Sequence, residues 1–211
     1  MNYPVTNSIL DFFVKDDIDA ETFMGRLDQM LIAYPKQANE VAFNLLDSHD
    51  TPRLLHIAEG NKDRMKLAAL FQLTYMGAPC IYYGDEIGMD GGGDPGCRKP
   101  MIWEEDYQDK ELFDFYKKLI RLRNDHKALR DGSFRFLSAA KDAKYVAFER
   151  ADDKDRFIIA MNSDTKQHDV NIEQVGNHSF RDIDAGDRYK AKNGTFTVSV
   201  PALSAVILKK Q

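Results

Sequence analysis

The stretch that decides the fold is residues 41–53, Val41-Ala42-Phe43-Asn44-Leu45-Leu46 followed by Asp47-Ser48-His49-Asp50-Thr51-Pro52-Arg53. The first half is apolar at nearly every position, which is typical of a strand covered on both faces in a parallel sheet. The second half is polar from its first residue. In (β/α) proteins the carboxyl ends of the strands carry the chemistry, so this segment predicts a buried strand that ends in a functional loop.

The same pattern occurs a second time further along the chain. Another buried-type run, residues 80–83, leads into a polar loop that extends from Gly84 to about Asp106. Apolar residues at three- and four-residue spacing predict helices around these strands. The helices are expected at about Ala20 to Tyr34 with Asp19 as the cap, from Asn61 as the cap to about Met76, and at about Asp109 to Asn124. This alternation predicts the C-terminal part of a (β/α)8 barrel, since a whole barrel needs about 250 residues.

From about Ser133 the pattern changes to short β-type runs separated by Asp, Asn, Gly and Lys. This alternation predicts an antiparallel β-sandwich. We place the boundary within residues 125–132, which divides the chain into a barrel portion, residues 1–132, and a sandwich domain, residues 133–211. The predicted strands are residues 134–137, 145–150, 157–161, 170–172, 195–200 and 205–208.

Composition excludes several classes of function. The 211 residues carry a formal charge of -5, which provides no basic face for nucleic acid. The two cysteines, Cys80 and Cys97, form neither a disulfide framework nor a CxxC-type zinc site. Neither an apolar run of about 18 residues nor a secretion-signal pattern occurs, so we expect a soluble, cytoplasmic protein.

The first candidate cluster is His49 with Asp50 at the exit of the first strand. An imidazole and a carboxylate there can donate to and accept from hydroxyl groups, as gripping a sugar ring requires. A polar turn that only caps the next element is the alternative. Ser48, His49 and Asp50 are consecutive, and side chains that follow each other on an extended chain point apart, so we expect no nucleophilic triad. No HExxH motif or second spaced histidine supports a metal site.

The second candidate cluster lies in the polar loop of residues 84–106. Asp85 with Glu86 is either a catalytic pair or a pair of capping and salt-bridging carboxylates. Asp94 and Arg98 are four residues apart and can form a local ion pair that shapes the loop. Trp103 is the one tryptophan and either stacks on a sugar or anchors the loop by packing. Cys97 is expected to be an exposed thiol. The glycines at 91–93 lack the GxGxxG or GK[ST] pattern of a phosphate site.

Three segments in this order carry a resemblance to a known family. They are residues 43–51 (FNLLDSHDT), residues 77–88 (GAPCIYYGDEIG) and residues 94–103 (DPGCRKPMIW). Together they resemble the α-amylase superfamily of glycoside hydrolases, and most closely its neopullulanase, cyclomaltodextrinase and maltogenic amylase group. The resemblance implies the seventh and eighth barrel strands with their helices, then the family's all-β C-terminal domain, with residues 1–4 as the end of the sixth strand.

The resemblance also implies a retaining mechanism on α-linked glucans without a cofactor. Asp50 matches the family's aspartate after the seventh strand, which stabilises the transition state by holding ring hydroxyls at the cleavage subsite, and His49 matches the hydroxyl ligand beside it. Asp94 and Arg98 match a loop that contacts the neighbouring sugar. The motifs that contain the nucleophile and the acid/base are absent, so both carboxylates are expected upstream, as are the family's calcium sites.

The expected function is therefore the C-terminal portion of an α-glucan hydrolase that is inactive alone. Retaining hydrolysis needs two carboxyl groups about 5 to 5.5 Å apart, and Asp50 by itself cannot start it. Unpaired barrel edges favour association with the missing barrel strands or self-association, and we expect the barrel portion to be sensitive to protease or oligomeric. Two alternatives stay open: a non-catalytic carbohydrate-binding or structural fragment, and part of an α-1,6-glucosidase or glucanotransferase.

Overall fold

The computed structural model describes all 211 residues, and the first 132 are mainly helical. Three of the helices begin at a polar residue whose side chain accepts a hydrogen bond from the first turn: Asp19, Asn61 and Asp109. The elements of this half are α1 (Tyr3–Ile9), a π-helical turn (Leu10–Val14), α2 (Ala20–Ala33), α3 (Lys36–Glu40), β1 (Phe43–Leu45), α4 (Leu54–Ile57), α5 (Lys62–Thr74), β2 (Ala78–Cys80), α6 (Lys110–Asp125) and α7 (Lys127–Asp131).

The two strands of this half form a parallel pair. Phe43 lies opposite Ala78 and Leu45 opposite Cys80, and the crossover between the strands contains α4 and α5. Gly77 directly precedes the second strand with a φ of +93°, and a Cβ there would lie 2.6 Å from the Ala42 carbonyl oxygen. Only glycine fits this close approach, which sets β2 directly beside β1. Both strands therefore end at the same edge, as in a (β/α) barrel.

The remaining residues form two antiparallel sheets. The larger has six strands in the order β3-β4-β5-β10-β7-β8, and the smaller pairs β6 with β9. The strands are β3 (Ser133–Ala139), β4 (Tyr145–Ala151), β5 (Arg156–Asn162), β6 (His168–Ile172), β7 (Ser179–Asp182), β8 (Arg188–Lys190), β9 (Phe196–Val200) and β10 (Ser204–Lys210).

The central strands of the larger sheet are covered on both faces. In β5, Phe157, Ile159 and Met161 join the core of the helical half, whereas Ile158 and Ala160 pack with β6 and β9. Successive side chains of a strand point to opposite faces, so one strand takes part in two cores. The helical half and one face of the sheet consequently share a single core of 32 buried residues.

Two buried arginines close the boundary between the halves. Arg123 of α6 donates to the carbonyls of Leu73, Tyr75, Leu129 and Gly77. Arg150 of β4 donates to the carbonyls of Thr74, Ser133, Arg130 and Gly132. Carbonyl groups at and just after the end of α5, which have no partner within the helix, thus accept hydrogen bonds from both guanidinium groups. We call the two arginines and their carbonyl acceptors the arginine clasp. Burial lowers the pKa of Arg150 to about 9 and that of Arg123 to about 10.

Some sequence predictions are wrong in detail. The chain is helical from Tyr3 rather than a strand end, because Pro4 suits a first helical turn and Val5 and Ile9 bury one side. Asn2 still lies beside β1, since its backbone N–H donates to the Phe43 carbonyl at 2.8 Å. The second predicted strand stops at Cys80. Phe113 and Ile120 of α6, which the helical spacing suggests are buried, are exposed. None of the helices is long and apolar enough to cross a membrane.

Candidate active-site loops at the strand ends

The loop that follows β1, residues 47–53, is a tight turn. Ser48 is buried, its backbone N–H donates to Thr51 Oγ1 at 2.9 Å, and its hydroxyl accepts from the Asp50 backbone N–H at 3.2 Å. Because these bonds fold the backbone back on itself, the turn projects His49 and Asp50 into solvent. Their side chains are 59% and 58% exposed.

The expectation that neighbouring side chains point apart is wrong for His49 and Asp50. Their Nε2 and Oδ2 atoms are 3.3 Å apart. The alternation rule applies to extended backbone, and this segment is a turn instead. Ser48 Oγ makes no hydrogen bond with the imidazole and accepts one from the Asp50 backbone N–H. No Ser-His-Asp triad results.

The loop that follows β2 folds over the first one. Gly91 and Gly96 pack backbone against backbone: a Cβ on Gly91 would lie 2.2 Å from the Gly96 carbonyl oxygen. This approach brings Asp94 and the 3₁₀ turn Gly96–Arg98 beside residues 49 and 50. The Asp94–Pro95 peptide bond is cis.

The structure brings together all four residues that the sequence singles out. Arg98 lies between two carboxylates, with Nη2 3.2 Å from Asp50 Oδ1 and Nε 3.3 Å from Asp94 Oδ1. Its Nε also donates to the His49 carbonyl at 2.8 Å. Exposed ion pairs of this kind contribute about 1 kcal/mol or less each, so their importance here is geometric. Two carboxylates, an imidazole and a guanidinium in one patch offer the acceptors and donors that sugar hydroxyls require.

Cys97 does not have the exposure that the sequence suggests. It is fully buried, and its Sγ donates to the His49 carbonyl at 3.2 Å. The loop approaches the core here because of the Gly91–Gly96 contact, which carries Cys97 inward. The thiol therefore helps to hold the turn that presents His49.

The other loop candidates have separate fates. Trp103 is 78% exposed and is not the packing anchor considered above. The Glu86 carboxylate accepts from the Gly84 backbone N–H at 2.8 Å, and Asp85 is buried. Asp85 and Glu86 therefore act as capping and ion-pairing groups in different surroundings. No group of three or more His, Cys, Asp or Glu side chains is arranged to hold a metal ion.

A buried ionic network, which the sequence analysis does not predict, lies beneath the exposed cluster. Arg53 is 0% exposed; its Nη1 donates to the Tyr83 carbonyl at 2.6 Å and lies 3.7 Å from Asp85 Oδ1. Its guanidinium carbon is 4.7 Å from the centre of each of the Tyr82 and Tyr83 rings. The side chain of an arginine at the start of a helix, as Arg53 is before α4, is ordinarily exposed. The preceding Asp47 and the later Asp85 are the signals that could have revealed its burial.

The two carboxyls of this network are desolvated. Burial, and then the negative charge of Asp47, raise the pKa of Asp85 well above its usual range. Burial also raises the pKa of Asp47, although the Leu54 backbone N–H at 2.7 Å and Arg53 oppose the shift. Since one cation faces two buried carboxyls, the pair favours holding a proton between them.

The fold and the site define a class: an incomplete (β/α) barrel whose strand ends carry a polar cluster, joined to an antiparallel β domain. Two family models match the chain. One, described as the α-amylase catalytic domain, covers residues 1–132, and the other, described as the maltogenic amylase C-terminal domain, covers residues 134–207. The chain belongs to the α-amylase family of glycoside hydrolases.

Individual relatives narrow the comparison. A cyclomaltodextrinase from Bacillus sp is 58% identical over 80% of this chain and 30% of its own length. Neopullulanase 2 from Thermoactinomyces vulgaris is 40% identical over 99% of this chain and 36% of its own length. A solved cyclomaltodextrinase structure superposes with a TM-score of 0.91 at 48% identity, covering all of this chain and 36% of its own. The chain thus spans about a third of the length of the curated relatives it matches.

Proposed function

We propose that this chain is the C-terminal portion of a retaining α-glucan hydrolase that acts on α-1,4 or α-1,6 bonds of maltooligosaccharides or cyclodextrins. The observation that carries the proposal is Arg98 held between Asp50 and Asp94, with His49 beside them, at the carboxyl ends of a parallel strand pair. Relatives named cyclomaltodextrinase and neopullulanase support the choice of substrate class.

Each residue has a distinct part in the proposed site. Asp50 is the transition-state stabiliser. Its carboxylate accepts hydrogen bonds from the sugar hydroxyls, and these bonds strengthen as the ring approaches an oxocarbenium ion. His49 is a second hydroxyl ligand to the same sugar. Asp94 and Arg98 contact the neighbouring sugar, and Arg98 also orients the Asp50 carboxylate at 3.2 Å.

We further propose that the isolated chain is inactive. The sequence holds no motif of the kind that contains the family's nucleophile and acid/base. The retaining route needs these two carboxyl groups in addition to Asp50. The proposed ligand is a glucan. The proposed protein partner is either the remaining barrel strands or a second copy of the chain, because the parallel sheet has only two strands and Phe43 and Val41 are exposed. A cytoplasmic location and a division of the chain at residues 132 and 133 are part of the same proposal. Support for the division comes from β3, which begins at Ser133.

Calorimetric titration with maltotriose tests the binding site. We expect the wild-type chain to bind, and Asp50→Asn to weaken binding by about tenfold, which is the worth of one charge-assisted hydrogen bond. Asp153→Asn, at an exposed aspartate in the turn between β4 and β5, is the matched control and should bind as the wild type does. Equal affinities of wild type and Asp50→Asn would contradict the proposed role.

Turnover tests the second part of the proposal. We expect no release of glucose or maltose from maltotriose or a cyclodextrin by the pure chain. Measured turnover that Asp50→Ala abolishes would show that the chain contains its own attacking and proton-donating acids.

A further inference from the structure

We propose that Arg53 is a positioning residue that holds the loop of His49 and Asp50 against the loop of Asp94 and Arg98. The two loops are residues 47–53 after β1 and residues 82–99 after β2. Arg53 is the last residue of the first loop and makes two hydrogen bonds to the second, beside the three that His49 and Asp50 accept from Cys97 and Arg98.

The contacts run from both the backbone and the side chain. The Arg53 backbone N–H donates to the Gly91 carbonyl at 2.9 Å, and the guanidinium donates to the Tyr83 carbonyl at 2.6 Å. Both acceptors belong to the second loop. The rings of Tyr82 and Tyr83 cover the guanidinium at 4.7 Å and restrict it to one orientation.

The first loop is also closed at its base. Asp47 Oδ2 accepts the Leu54 backbone N–H at 2.7 Å, which joins the two ends of the loop that projects His49 and Asp50. Arg53 directly precedes Leu54 at one of these ends. A shift of its backbone would therefore move the whole turn relative to Arg98.

The polar balance of Arg53 is unlike that of a residue retained for stability. Its Nε and Nη2 atoms have no hydrogen-bond partner. Arg123, by contrast, gives its nitrogens to four carbonyls. A buried cation with unpartnered nitrogens and two buried carboxyls costs free energy, whereas a fixed loop geometry is what such a network provides.

The positioning role stands on the contacts between the loops, and its effect on sugar binding rests on the proposed function. Hydrogen exchange of the 211-residue chain followed by mass spectrometry tests the first directly. In Arg53→Met we expect peptides from residues 47–53 and 88–98 to exchange together, about tenfold faster or more, with β3, β4 and β5 unchanged. Arg53→Lys should restore most of the protection, because its ammonium can still donate to the Tyr83 carbonyl.

A matched control and a charge-balanced variant complete the design. Arg64→Met removes another largely buried arginine that donates to a carbonyl, that of Phe13, and pairs with Asp16, so it should leave both loops unchanged. Arg53→Met combined with Asp85→Asn removes one positive and one negative charge together, so the net charge of the network is unchanged, and it should still loosen both loops. Wild-type exchange in the loops of the folded variants would overturn the proposal. Global unfolding of all three Arg53 variants would overturn it too, by making Arg53 a stability residue of the whole chain.

Maltotriose titration of the same variants separates the two proposals. We expect Arg53→Met to bind about tenfold more weakly than wild type and Arg53→Lys to recover most of the affinity. If the wild-type chain binds no maltotriose, the proposed function fails, while the exchange measurement still decides whether Arg53 positions the loops. Wild-type affinity in Arg53→Met with loosened loops would overturn the positioning of the sugar site.

Discussion

The arginine clasp and the buried ionic network of Arg53, which we call the loop network, surround their buried arginines with different groups. In the clasp, Arg123 and Arg150 lie between the helical half and the sheet, and backbone carbonyls satisfy them. In the loop network, Arg53 faces two carboxyls and two tyrosine rings and keeps two nitrogens unpartnered. The difference indicates that the clasp stabilises the fold, whereas the network holds a geometry at the expense of stability.

Removal of Arg150 should have the largest effect on stability. Arg150→Met leaves the buried carbonyl of Thr74 and the partly buried carbonyls of Ser133, Arg130 and Gly132 without this donor. We expect a loss of about 3 kcal/mol or more in the free energy of unfolding, measured by urea denaturation. Arg188→Met, at an exposed arginine of β8, is the control and should stay within about 0.5 kcal/mol of wild type. A loss below about 1 kcal/mol for Arg150→Met would mean that the clasp is dispensable.

A glycine substitution should disturb the loops and leave the clasp intact. In Gly91→Ala the new methyl group would lie 2.2 Å from the Gly96 carbonyl oxygen, so the backbone of the loop has to move. We expect a loss of about 1 to 3 kcal/mol in the free energy of unfolding, with the spectral change in an NMR spectrum confined to residues near 47–53 and 88–98. Gly93→Ala, where a Cβ meets nothing within 4 Å, is the matched control. Equal behaviour of the two variants would contradict the close backbone packing within the loop after β2.

The pKa values of Asp85 and Asp19 are shifted in opposite directions, so the two carboxyl groups should affect the pH dependence of stability in opposite ways. Asp85 has a pKa raised above its ordinary value of 3.8, so the folded state binds the proton more tightly and stability falls as the pH rises above that value. Asp19 caps α2 and accepts the Asp142 backbone N–H at 3.1 Å; these bonds lower its pKa to about 2. Its contribution is present above pH 3.8 and is lost as the pH falls through about 2.

The variants Asp85→Asn and Asp19→Asn should therefore show opposite trends in urea denaturation as a function of pH. The stability of Asp85→Asn relative to wild type should increase as the pH rises above 3.8. The deficit of Asp19→Asn should shrink as the pH falls from 3.8 towards 2. Each variant is the control for the other, and parallel trends would refute the assignment of opposite pKa shifts.

Local signals explain which parts of the fold and site were predictable from sequence. Capping residues such as Asp19 and Asn61, apolar spacing and the polar run after a buried strand place most helices, both parallel strands and the four residues His49, Asp50, Asp94 and Arg98. The strand order of the larger sheet and the shared core depend on contacts between distant residues, which spacing does not encode. The helix that begins at Tyr3 is not predicted, because the resemblance assigns residues 1–4 to the end of a strand.

The buried network was the hardest part to predict. Arginine is ordinarily an exposed residue type, and Cys97 lies in a polar loop, yet both side chains are fully buried. Gly91 and Gly96 both lie in the loop after β2, and their spacing in the sequence is not distinctive. The contact between His49 and Asp50 was likewise missed, since a tight turn replaced the extended backbone that was assumed.

Chemical-shift mapping tests the central claim that the two strand-end loops form one glucan-binding site. Maltotriose is titrated into the ¹⁵N-labelled chain, and the backbone amide signals are followed. We expect saturable shifts that cluster in residues 47–53 and 90–99 and that disappear in Asp50→Asn. Saturable shifts centred on the β domain, with the two loops unaffected, would contradict it.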